Sequence, residues 1–298
     1  MSQTATLHRR SRRIKESRSL PYLLIAPAVL IVGAVVVWPV AQTVWLSFYA
    51  GTIRRTGDFV GIGNYQALFA DPNFTRALGN TLVFTVCSVA VELVLGTVVA
   101  LIINRSFRGR GLLRAVTLVP WAFPTAISAI MFRLMFNDPN GVLSWIAYGL
   151  GLIHQPVLGS QDLMVVAAVT VDIWKTTPFV ALLILAGLQT IPGETLEAAS
   201  VDGAGAIQRF FRIVLPLLIP SVLIAALFRT LDAYRVYELF WVMGNRQVDS
   251  LSTYVYEGVR VSQLQFPTGS AASVFVFVSA FVIALFFVIA LGLRRNKV

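Results

Sequence analysis

Residues 196–220 read LEAASVDGAGAIQRFFRIVLPLLIP, a polar, glycine-broken stretch in a chain that is apolar on both sides of it. The runs flanking it, 163–188 and 217–243, are each long enough to cross a bilayer, since a helix needs roughly 20 mostly apolar residues to do so. The stretch is therefore a connector between two spans. Working outward, four more runs of this kind appear at 20–48, 78–103, 115–136 and 270–293. They are too long and too unalternating for barrel strands, which alternate over about ten residues. The expected fold is all-α and integral to the membrane, with six transmembrane helices. The connector, 189–216, lies between helices 4 and 5.

Composition agrees. Hydrophobic residues make up 57% of the 298 and charged residues 13%, against about 25% charged in soluble domains. The net charge of +10 follows topology. Arg9, Arg10, Arg12, Arg13, Lys15 and Arg18 precede the first run, four arginines fill 104–114, Arg209 and Arg212 sit in the connector, and Arg294, Arg295 and Lys297 close the chain. The opposite loops hold Arg54, Arg55, Arg76, Arg246 and Arg260. Such asymmetry places both termini in the cytoplasm and calls for no nucleic-acid partner. Residues 1–19 are then a basic cytoplasmic tail and 20–298 one transmembrane domain. The first run is too long for a signal peptide and lacks a small-residue cleavage site, so it is expected to stay as a helix. Cys87 is the single cysteine, inside the second run, so no internal disulfide is possible.

Enzyme chemistry finds no foothold. No G-x-x-x-x-G-K-[S/T] loop surrounds Lys15, Lys175 or Lys297. Gly203-Ala204-Gly205 lacks the preceding strand and third glycine of a dinucleotide fingerprint. His8 and His154 are far apart and form no metal-ligand spacing. The chain is expected to hold no cofactor of its own.

Charges inside spans cost about 2.5–3.5 kcal/mol each on insertion scales and point to function by default. VDIWKTTPF, 171–179, sets Asp172 and Lys175 within reach of one another on a helix, beside Trp174, Thr176, Pro178 and Phe179. LFRTLDAYRVYELFW, 227–241, spaces Arg229, Asp232, Arg235 and Glu238 at steps of three. On one continuous helix those steps wind around the axis, so Arg229 and Glu238 would point in opposite directions. One reading makes these structural pairs. The other makes Asp172, Trp174, Lys175, Thr176, Phe179, Arg229, Asp232, Tyr234 and Arg235 the lining of a substrate pathway, suited to sugars or to ions. Glu92 and Arg133 are expected to serve helix pairing or snorkelling only.

The connector itself reads as two short helices, one before Gly203 and one from about Gln208 to near Pro216. Ile207, Phe210, Phe211, Val214 and Leu215 recur at helical spacing with Arg209 and Arg212 among them. Such a helix lies along a membrane interface or in a partner's groove; a plain connecting loop is the alternative.

Glu197-Ala198-Ala199, three residues, Gly203, nine residues and Ile213-Val214-Leu215-Pro216 match E-A-A-x3-G-x9-I-x-L-P at every specified position. This resembles the EAA loop of membrane subunits of binding-protein-dependent ABC importers. FVGIGNYQALFADPNF (59–74), NTLVFT (80–85), WKTTPFVALLILAGLQTIP (174–192) and FRTLDAYRVYELF (228–240) resemble the first permease subunit of trehalose- and maltose-type importers. The resemblance implies a coupling helix in which Glu197, Ala198, Ala199, Asp202, Gly203, Ile213, Leu215 and Pro216 serve contact with an ATPase. It also implies a prokaryotic cytoplasmic membrane, a second homologous permease, two ATP-binding subunits that hold ATP and Mg, and an external or periplasmic sugar-binding protein. Glycerol-phosphate is an alternative cargo, for which Lys175 and Arg235 are suited. A secondary transporter would fit the buried charges but needs no docking loop of this pattern. The sequence departs from the family's T-x-G-G-P at VMGNRQ, 242–247, and has no counterpart of the extra N-terminal helices and external domain of longer maltose-type subunits.

Overall fold

The structure, a computed structural model, describes residues 20–52, 55–138, 140–262 and 266–295. The basic tail 1–19, Arg54 and Lys297 lie outside the described residues. Two compact units result, Met1–Trp45 and Leu46–Val298. In the first, α1 (Leu20–Val32), a π-helical turn (Gly33–Val37) and α2 (Trp38–Leu46) run on as one helix, long and apolar enough to span a membrane over Tyr22–Leu46.

The second unit begins with a hairpin of β1 (Tyr49–Thr52) and β2 (Arg55–Phe59) and the short helix α3 (Gly63–Ala70). Then come α4 (Pro72–Asn104), α5 (Arg110–Ala122), α6 (Thr125–Met135), α7 (Val142–Gly149) and α8 (Gln161–Leu188). Two short helices, α9 (Gly193–Val201) and α10 (Ala206–Arg209), lead through a π-helical turn into α11 (Leu215–Tyr234). The chain ends with α12 (Glu238–Met243), α13 (Leu251–Tyr256) and α14 (Phe266–Arg295). Among the described residues five stretches are long and apolar enough to cross a membrane, and the bent pair α5–α6 makes a sixth if it crosses as one. The fold is that of an all-α membrane protein.

Local chemistry explains the boundaries. Asp71 caps α4 by accepting from the Asn73 backbone N–H at 2.8 Å, and Pro72 takes the first turn, where a missing N–H costs nothing. The third run, expected as one helix, breaks between α5 and α6 with a bend of 85°. Pro124 is the cause: its ring excludes helical geometry at Phe123, which adopts ψ 136°. The fifth run also breaks, at Arg235–Tyr237, so the four charges expected on one winding helix are split between α11, the break and α12. Ser250 holds the break by donating from Oγ to the Val236 carbonyl at 2.7 Å.

The second connector helix does not end near Pro216. It continues into α11, because the turn widens over Phe210–Val214 and the Leu215 N–H reaches back to the Phe210 carbonyl. A wider turn frees the helix from the bond that Pro216 cannot donate. The same arrangement of π-helical turn, one residue and proline occurs at Gly33–Val37 and Pro39.

Three helices, α4, α8 and α11, form the centre of the second unit. Small residues let them approach: a Cβ at Gly96 would lie 2.6 Å from Val180 Cγ1, and one at Gly187 would lie 2.5 Å from Ser221 Cβ. Two apolar layers sit along them. One gathers Phe84, Val89, Met164, Val171 and Ala233; the other gathers Ala100, Ile103, Val180, Ile184, Leu218 and Ala225. The positions between these layers are not apolar, and they make the site.

Candidate functional site

Glu92 of α4, Asp172 and Thr176 of α8, and Arg229 of α11 occupy the gap between the two apolar layers. Arg229 is 1% exposed and Glu92 is fully buried. The guanidinium fork meets Glu92 twice, Nε to Oε2 at 2.6 Å and a terminal nitrogen to Oε1 at 3.0 Å. That same terminal nitrogen reaches Asp172 at 2.8 Å, and the other donates to Asp232 one turn on. The Thr176 hydroxyl lies 2.5 Å from Glu92 Oε1 and 2.6 Å from the Asp172 carbonyl, and donates to either. All three ion pairs found among the described residues converge on Arg229.

A planar, always-charged fork is the side chain that can serve three carboxylates at once. Bidentate, charge-assisted bonds of this kind are the strong ones in a low-dielectric interior. Asp172 lies 11 residues into a helix of 28, so at 1.5 Å per residue the network sits roughly 16 Å from the nearer end of α8. Asp232 differs from its partners, its side chain being 72% exposed. One edge of the network is therefore open, and a ligand hydroxyl or cation can approach a carboxylate there.

The structure gathers Asp172, Thr176, Arg229 and Asp232 of the residues expected to line a pathway. Glu92 joins them through helix pairing, as expected, tying α4 to Arg229 of α11 and Thr176 of α8. Lys175 is buried at 9% exposure but joins no ion pair among the described residues, so the expected Asp172–Lys175 contact gives way to Asp172–Arg229. Trp174 packs against Phe132 of α6 with centroids 5.1 Å apart. Phe179 stacks on Trp121 of α5 at 5.7 Å and 14°. Tyr234 is buried and its hydroxyl meets Ser279 Oγ at 2.7 Å, which ties α11 to α14. Arg235 is exposed in the helix break, its Nε donating to the Leu231 carbonyl at 3.2 Å.

The connector forms a second polar-to-apolar anomaly. Helix α9 closes with Gly203 at φ +79°, the Ala204 N–H bonding to the Ala199 carbonyl at 3.0 Å and the Gly203 N–H to Ser200 at 3.1 Å. Those two bonds are the Schellman closure, which favours glycine at the left-handed position. Ala199 is buried, whereas Glu197, Ala198, Asp202, Gly203 and Pro216 are exposed and Ile213 and Leu215 half-buried. Val201, Ile207 and Phe211 are 88%, 77% and 61% exposed. Beside them a cavity of about 480 Å³ opens between Leu101, Arg105, Leu196, Ile207, Phe210 and Val214.

The model of the family described as binding-protein-dependent transport system inner membrane component matches residues 92–296, from the buried glutamate through α14. The chain belongs to that family. The ion network on α4, α8 and α11 and the whole connector fall inside the matched region. This inner membrane component is 42% identical over 225 residues to the trehalose/maltose transport system permease protein MalF of Thermococcus litoralis, covering 75% of this chain and 76% of that one. It is 35% identical to the trehalose transport system permease protein SugA of Mycobacterium tuberculosis, over 97% of this chain and 94% of that one. Among solved structures, a chain of a bacterial ABC transporter involved in the import of the acidic polysaccharide alginate superposes with a TM-score of 0.78 at 23% identity, covering 92% of this chain and 95% of that one. At that identity the likeness shows the fold, an ABC importer permease fold.

Proposed function

We propose that this inner membrane component lines half of the translocation path of an ATP-driven importer whose cargo is a di- or oligosaccharide such as trehalose or maltose. The observation that carries the proposal is the end of α11. There the buried network stops at the exposed carboxylate of Asp232, and the helix breaks at exposed Arg235. A carboxylate in the last turn of α11 and a guanidinium in the break that follows suit a ring of hydroxyls, and the names of the relatives at 42% and 35% identity supply the cargo class. Asp172, Lys175 and Thr176 support the exposed pair from α8, while Trp174 and Phe179 shape the apolar wall beside them.

In this proposal a second, homologous permease completes the path and a binding protein outside the membrane delivers the sugar. The connector takes the coupling role. Exposed Glu197 and Asp202 border the exposed Val201, Ile207 and Phe211, a surface fitted to the cleft of an ATP-binding subunit. Two such subunits would hold ATP and Mg²⁺ and supply the hydrolysis, leaving this chain without catalytic residues. Both termini and the connector face the cytoplasm, on the strength of the arginine asymmetry. ATP binding drives the path outward-open only in so far as the two conformations bind the nucleotide-closed subunits with different affinity.

The test is uptake of labelled trehalose and maltose into proteoliposomes that hold the complete complex. Import that requires internal ATP and the binding protein, and survives collapse of ion gradients, is expected. Import driven by an ion gradient without ATP would overturn the proposal.

A further inference from the structure

Beyond Arg235 the break leads directly into an aromatic cluster that the ion network does not use. Tyr237 precedes α12 and Trp241 lies one turn into it, their rings nearly parallel at 17° with centroids 5.7 Å apart. Tyr256, at the end of α13, closes against both, 5.3 Å from Tyr237 and 5.0 Å from Trp241. The Arg246 guanidinium sits over the Trp241 ring, 4.7 Å from its centroid. The turn that brings it there is strained: Asn245 and Arg246 take φ +47° and +61°, a region that side chains other than glycine's rarely adopt.

The cluster stays accessible. Tyr256 is 38% exposed, Arg246 is exposed, and Tyr237 and Trp241 are half-buried. The three rings pack on one another with a cation over Trp241, and the surface they leave, Tyr256 and the half-buried rims of Tyr237 and Trp241, forms an amphipathic platform. Its chemistry suits a pyranose, whose C–H face packs on aromatic carbon while its hydroxyls meet Arg246, the phenolic oxygens and neighbouring Glu238. Strain concentrated in the turn that delivers the arginine agrees with a functional constraint there.

We infer that Tyr237, Trp241, Tyr256 and Arg246 form a saccharide-stacking subsite at the mouth of the path, which receives the sugar before the charged groups at Asp232 and Arg235. The inference rests on the proposed sugar transport and on its orientation. The platform acts on the passage of cargo, so its loss separates transport from the ATPase cycle.

The test uses the complete complex with its binding protein in proteoliposomes, comparing W241A and W241F with the unaltered chain. W241A is expected to cut uptake of labelled trehalose or maltose roughly tenfold, the loss of about one aromatic stacking interaction. Subunit co-purification and binding-protein-stimulated ATP hydrolysis are expected to stay unchanged, and W241F to recover most of the uptake. Unaltered uptake by W241A overturns the subsite. Loss of co-purification overturns it in favour of contact with the second permease, and loss of stimulated hydrolysis in favour of contact with the binding protein. If the unaltered complex imports no saccharide, the proposed cargo falls first, and the subsite with it.

Discussion

Arg229 is 1% exposed and Phe211 is 61% exposed, though the first carries a charge and the second a hydrocarbon ring. The two regions around them invert the usual rule in opposite ways. Around Arg229, the buried groups of Glu92, Asp172 and Thr176 are bonded within the chain, and only Asp232 stands exposed at one edge. Around Phe211, apolar groups are exposed and the turn at Gly203 is locally complete, but none of the described residues covers Val201 or Ile207. A network whose buried members pair across three helices holds the chain's own architecture. An uncovered apolar surface on a connector is open to the membrane interface or to a partner's groove.

The largest effect separating them is expected at Arg229. R229A leaves Glu92 and Asp172 buried without a counter-charge, a loss of about 3–5 kcal/mol. R229K restores a charge but not the fork, and should fall between R229A and the unaltered chain. Thermal unfolding in detergent measures both. An unshifted transition in R229A would show that the layer is not a structural pin.

Connector variants are expected to behave in the opposite way. G203P cannot adopt φ +79°, because proline holds φ near −65°, and E197K reverses an exposed charge. Both should insert as the unaltered chain does; E197K should also unfold as it does, while G203P loses the Gly203 N–H bond to Ser200 and the turn with it. Binding-protein-stimulated ATP hydrolysis in the assembled complex should drop by roughly tenfold, equivalent to about 1.4 kcal/mol of coupling. Undiminished hydrolysis would remove the docking role and with it half of the comparison.

The spans were legible because twenty-residue apolar runs have few other uses, and the shape of the connector because Gly203 parts two helical stretches. The breaks were less so. The third run reads as one helix until Pro124 is seen to bend it by 85°, and nothing local at Arg235–Tyr237 announces an interruption, since the Val236 carbonyl finds its partner in Ser250, fourteen residues on. Asp172 illustrates the same limit. Sequence spacing offered Lys175, three residues away, while packing of α8 on α11 brought Arg229 from 57 residues away. Residue periodicity finds neighbours on one helix; it cannot choose among partners on another. Glu92 was visible as a charge in a span, but its importance comes from the facing helices.

Within the network the comparison can be sharpened by graded removal. E92Q keeps hydrogen-bonding capacity toward Arg229 and Thr176 and relieves repulsion among three carboxylates, so about 1–2 kcal/mol of destabilisation is expected. D232N acts on a largely exposed partner and should cost less than about 1 kcal/mol. Unfolding transitions of the two variants rank them. D232N exceeding E92Q would mean that the exposed edge, not the buried fork, holds the helices.

The smallest effect tests a carboxylate that belongs to neither region. Asp249 precedes α13, accepts from Thr253 Oγ1 at 2.7 Å, and receives Asn80 on its backbone carbonyl at 2.8 Å. Burial raises its pKa, and the Thr253 bond opposes that shift in part. A carboxyl whose folded pKa lies above its unfolded value binds its proton better in the folded state. Its contribution to stability is therefore full below the ordinary aspartate range and is lost as pH rises through the raised value. D249N keeps an acceptor for Thr253 and removes the titration. Between roughly pH 4 and neutrality, the unaltered chain should lose a little more stability than D249N does, read as the difference between their unfolding transitions at each pH. A carboxylate made costly by burial and joined to no ion pair among the described residues, in contrast to Glu92 on Arg229, would thereby be measured directly; parallel pH profiles would show that its hydrogen bonding compensates for the burial.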